Sequence, residues 1–149
     1  MKKLLLAGLS ALFVSACGFG EKTDVMFECA SPSGKIIATL YRVSTNDRPG
    51  GQEMKINLRP VSILFDDAMF SFAFRHGYDA VIRWHSDTQM AVEYPEDSEI
   101  THQEQVVFGS SQTFSSSDQI RVDYQEKPSK HGYFLVEQRC ISLPENQRL

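Results

Sequence analysis

The chain has 149 residues, with 19 acidic against 15 basic side chains and a formal net charge of −4. An acidic chain without a Lys/Arg cluster lacks the footing for nucleic acid, whose phosphates are held by neutralising cations, and for electrostatic docking on an anionic lipid surface. The length suits one domain.

Lys2 and Lys3 follow Met1, and residues 4–14 (LLLAGLSALFV) carry neither charge nor proline. A basic start ahead of about ten apolar residues is the pattern of a secretory signal. The run is too short to span a bilayer as a helix, which takes about 20 apolar residues. Val14-Ser15-Ala16-Cys17 then sets an aliphatic residue, two small residues and a cysteine in order. This resembles the lipobox of bacterial lipoproteins. The resemblance implies cleavage after Ala16 and a diacylglycerol carried on Cys17 through a thioether. In enterobacteria-like lipoproteins an Asp after that cysteine favours inner-membrane retention. Gly18 stands there, which implies the outer membrane, with the domain facing the periplasm. The expected organisation is a signal peptide over 1–16, a lipidated tether over 17–24 and one domain over 25–149. The tether spans at most about 25 Å, so the membrane is reached through the lipid on Cys17.

Strand patterns follow. Residues 25–30 (VMFECA) read as a first strand, and Ser31-Pro32-Ser33-Gly34 as a turn. Residues 35–43 (KIIATLYRV) are β-branched and apolar on both faces, as in a central strand. Residues 44–52 read as a loop. Residues 53–58 and 61–65 read as one bent strand or two, parted at Arg59-Pro60. Phe70, Phe72 and Phe74 share one face of a strand over 69–75. Residues 78–85 align Ala80, Ile82 and Trp84, and residues 89–94 alternate with Met90, Val92 and Tyr94 inward. A short strand over 105–108, an alternating strand over 119–124 and a closing strand over 133–140 complete the set. Residues 95–104, 109–118 and 125–132 read as loops. Closely spaced short strands predict an all-β fold: a small antiparallel sandwich or barrel of eight or nine strands.

Three cysteines are present, Cys17, Cys29 and Cys140. With Cys17 lipidated, an oxidising compartment leaves Cys29 and Cys140 to form one disulfide, from the first strand to the last. Two buried thiols or a metal pair are the alternatives, although no other Cys lies near either one and the histidines are scattered.

Other resemblances are local. Residues 31–38 (SPSGKIIA) resemble the SPDGK-type hairpin of TolB-like propeller blades, with a weaker likeness at residues 84–91, and imply shared hairpin chemistry. Residues 31–35, 46–51, 81–94 and 120–124 together resemble a family of small exported bacterial proteins with an SPxGK-type hairpin; no activity is established for that family. Phe27-Glu28-Cys29, residues 34–41 and a late cysteine are similar to membrane-bound inhibitors of c-type lysozyme, which are small lipidated β-barrels. That similarity implies inhibition of a cell-wall hydrolase.

No residue set suggests catalysis. The serines lack a nucleophile-elbow setting, and His76, His85, His102 and His131 form no ligand pair. Asp66-Asp67 reads as a turn. The expectation is a non-enzymatic protein without cofactor or metal. Arg75, His76, Tyr78 and Asp79 lie around Gly77 between two strong strands. They read as a hairpin tip and form the candidate binding loop, since loops on a rigid β scaffold commonly bind. Trp84 reads as core, packed with Phe70 or Phe72. The functional expectation is a binding or envelope-structural module with a periplasmic protein partner, or alternatively an inhibitor or immunity protein. Glu96, Asp97 and Glu99 would supply the latter's acidic loop, whose first reading is a solvated face.

Overall fold

The computed structural model describes residues 20–45, 51–108, 119–128 and 138–143. The signal sequence, Cys17, His131, the loop at 109–118 and residues 133–137 of the expected closing strand lie outside the described residues. Every regular element among the described residues is a strand. They form two five-stranded sheets that face each other as a sandwich and do not close into a barrel.

The first sheet is antiparallel throughout. It contains β1 (Lys22–Ala30), β2 (Ile36–Ser44), β3 (Gln52–Pro60), β4 (Phe72–Arg75) and β7 (Glu99–Gln103), in the order β1-β2-β3-β4-β7. The second contains β5 (Val81–Ser86), β6 (Gln89–Pro95), β8 (Val106–Phe108), β9 (Gln119–Lys127) and β10 (Cys140–Ser142), in the order β10-β5-β6-β9-β8. Two of its pairings, β10 with β5 and β6 with β9, are parallel, where antiparallel pairing was expected throughout. Parallel neighbours need a crossover. Between β6 and β9 that path includes β7, which joins the opposite sheet, and β8.

Alternation explains the core. Leu40, Met54, Ile56, Phe72 and Phe74 face inward from the first sheet, against Ile82, Trp84, Met90, Val92 and Ile120 from the second. Phe72 packs at a tilt against Tyr124, with ring centroids 4.6 Å apart, and against Tyr94 at 5.4 Å. Phe70 leaves the expected row. It lies under the Lys55 ammonium at 4.2 Å and beside the His102 ring at 5.1 Å. Trp84 is core as expected, but its polar edge settles the orientation: its indole N–H donates to the Cys29 carbonyl at 3.0 Å.

Several boundaries differ from the sequence pattern. β1 begins at Lys22, inside the expected tether, because Asp24 pairs with Lys22 and Arg42 and Lys22 registers with Ser44. β3 continues through Arg59-Pro60 in ladder with Ile37 and Ile36. Its proline closes the strand, where a missing N–H is tolerated. Residues 61–65 are not a strand but the start of a loop across the outer face of the first sheet. Residues 99–103, expected as loop, form β7.

Candidate functional site

The Cys29–Cys140 disulfide joins β1 to β10, and its Cα atoms lie 5.3 Å apart. These are the end strands of the two sheets as described, so the bridge clamps one side of the sandwich. Beside it lies an open groove of about 550 Å³, lined by Met26, Phe27, Glu28, Tyr78, Asp79, Gln138, Arg139 and Cys140.

Each lining residue has a local cause. The β1–β2 register shifts between Val25 and Phe27, so Met26 stands out of the ladder as a bulge and is half exposed. Bulges on end strands re-aim a side chain and blunt further pairing. Tyr78 and Asp79 come from the passage between β4 and β5. That passage is not a hairpin tip, since β4 belongs to the first sheet and β5 to the second. It is the crossover between the layers, a difference that the two flanking apolar strands cannot reveal.

The crossover divides the four candidate residues. His76 takes the left-handed conformation, φ 63°, and its Nε2 lies 3.4 Å from Glu99. Arg75 Nε lies 3.4 Å from Glu53. Neither lines the groove. Tyr78 is partly exposed at the groove, whereas Asp79 is only 5 % exposed. The Asp79 carboxylate accepts from the Ala80 N–H at 2.9 Å and from Arg139 Nε at 2.5 Å. A buried carboxylate is tolerable only when so partnered. Arg139 thus positions the groove wall. Sequence reading passed it over because its partner lies 60 residues away. Met26 carried a signal: three successive apolar residues in VMF break a strict alternation.

Elsewhere the polar groups hold loops. Asp66 accepts from the Ala68 N–H at 2.9 Å, which is turn chemistry, and Asp67 accepts from the Thr23 hydroxyl at 2.5 Å, which ties the loop to β1. Asp87, at the tip of the β5–β6 hairpin, accepts from the Ser33 N–H at 3.1 Å. Burial raises its pKa, but hydrogen bonds from Ser33 and Ser31 outweigh this and hold the carboxyl below its ordinary range. It therefore links the SPSG turn to the β5–β6 hairpin. His102 sits 2.9 Å from Glu104, and His85 is exposed on β5. Among the described residues no three His, Cys, Asp or Glu side chains gather as metal ligands. Glu96 and Asp97 are exposed at the turn from β6 to β7.

Compared with known protein families, curated proteins and solved structures, the chain matches none.

Proposed function

We propose that this chain is a lipid-anchored, non-enzymatic binding module of the outer membrane, facing the periplasm, that holds an extended segment of another envelope protein. The observation that carries the reading is the groove beside the disulfide. Met26, Phe27 and Tyr78 give it apolar surface, and Glu28, Gln138 and Arg139 give it a few polar groups. Binding sites generally combine a concave, mostly apolar surface with few oriented polar groups. β1 pairs only with β2 among the described residues, and because its bulge at Met26 limits strand addition, the side chains of the groove carry the contact with the segment. The lipobox and an export signal supply the address, and a disulfide suits an oxidising compartment.

The test is a pull-down from envelope extract with the disulfide-intact chain, repeated with Met26→Asp. One stoichiometric partner, lost with Met26→Asp, supports the module. No partner, or equal capture by the variant, overturns it. Mass spectrometry of the N-terminal peptide decides separately whether Cys17 bears diacylglycerol.

A second reading is an inhibitor or immunity protein against a cell-wall hydrolase. The exposed acidic turn at Glu96 and Asp97 favours it, since complementary charge speeds encounter with a basic cleft. Inhibition of purified c-type lysozyme, lost when both are changed to Lys, would put this reading first.

A further inference from the structure

We infer that the loop over residues 61–70 is a second membrane contact, entering the lipid–water interface beside the anchor on Cys17; the inference rests on the lipid-anchor reading above. Val61, Ile63, Leu64 and Met69 are all at least half exposed, Leu64 at 89 %, and Val25 of β1 lies in the same patch. Soluble surfaces rarely carry so contiguous an apolar group without a use for it.

The loop is fastened, so the exposure of its side chains is built in. The Tyr41 hydroxyl donates to the Asp67 carbonyl at 2.8 Å, and the Phe65 ring meets Tyr41 edge-on at 5.0 Å. Arg59 Nε donates to the Ile63 carbonyl at 3.1 Å, and Asn57 donates to the Met69 carbonyl at 2.7 Å. Phe65 is thus turned toward the sheet while Leu64 is turned away from it.

The position of the chain's start names the occupant. The Thr23 hydroxyl holds Asp67, and Thr23 stands six residues after Cys17. Six residues reach at most about 20 Å. With lipid on Cys17, this edge of the loop stays within that distance of the bilayer surface. Asp66 and Asp67 offset Arg59 in the same patch, so the contact is chiefly apolar and suits a zwitterionic phosphatidylethanolamine surface. A second, weak contact beside an acyl anchor also fixes the domain's orientation.

The test places an environment-sensitive fluorophore on Leu64→Cys in the full chain, purified with its lipid and reconstituted in phosphatidylethanolamine-rich vesicles. Cys29 and Cys140 are bridged, and a lipidated Cys17 cannot react, so the new thiol is the labelled one. The expected result is a blue shift at position 64 with loss of quenching by an aqueous quencher. The same label at Asp123→Cys, exposed on the second sheet, should stay open to quencher. Lipid on Cys17 with position 64 open to quencher overturns the inference and leaves the anchor intact. Absence of lipid on Cys17 overturns the anchor reading and the inference with it. Shielding at 64 that grows with the protein-to-lipid ratio assigns the loop to a second copy and also overturns it.

Discussion

Gly77 shows how one residue can be mistaken in kind. In sequence it reads as the flexible centre of a turn. In the fold the left-handed residue is His76, and Gly77 is buried where a Cβ would lie 2.6 Å from Ser98 Oγ and 2.9 Å from Phe74 Cε2. It is glycine because the crossover passes close to the β6–β7 turn. Gly77→Ala should cost about 1–3 kcal/mol through overpacking, read as a lower midpoint in urea unfolding. Asp87 gives a residue-scale prediction with a sign. Its folded pKa is depressed below the ordinary 3.8, so its contribution is present above that value and is lost as pH falls through the folded pKa. Asp87→Asn should therefore lower Tm at neutral pH, with the gap closing in strong acid. Equal loss at both extremes would show that the charge is irrelevant to the link.

At the scale of elements, Tyr41 is one of the residues that hold the loop over 61–70 to the first sheet, with Asn57, Arg59 and Thr23. Its hydroxyl is raised in pKa by burial first and then by the Asp67 and Asp66 carboxylates, so it stays a donor at any ordinary pH. Tyr41→Phe removes that donor and should cost about 1 kcal/mol. Amide hydrogen exchange should quicken over residues 66–70 more than in β5 or β6. β9 was legible because one face is covered and the other wet, whereas β6 shows its strand in alternating side-chain type although Ala91 and Pro95 bury its second face as well. The sequence of β7, EITHQ, was not, because its pattern is mostly exposed at a sheet end and carries little apolar signal. Residues 61–65 misled in the opposite direction. VSILF has strand composition, yet the chain has left the ladder at Pro60 and lies outside the core. Apolar content reports burial in general, and an apolar patch left at the surface defeats that inference.

For the whole molecule the disulfide is the main tie between the layers on one side. It closes a loop of 111 residues. Replacing both Cys29 and Cys140 with Ala should cost about 2–5 kcal/mol. The urea midpoint should fall accordingly, followed by fluorescence of Trp84, the sole tryptophan, whose N–H caps the Cys29 carbonyl. An unchanged midpoint would mean that the sheets hold themselves together without the bridge.

The chain's sequence by itself determined the all-β class, most of the inward residues and the pairing of Cys29 with Cys140. Those follow from local periodicity and, for the disulfide, from the two thiols left once the lipobox resemblance sets Cys17 aside, which need no knowledge of neighbours. Tertiary structure alone decided which strand joins which sheet, that residues 75–79 cross between layers, and that Arg139 meets Asp79. It also decided that Tyr78 shares a groove with Met26 while Arg75 and His76 point elsewhere. Each of these depends on contacts between residues far apart in the chain, and strand periodicity says which face is buried without saying against what.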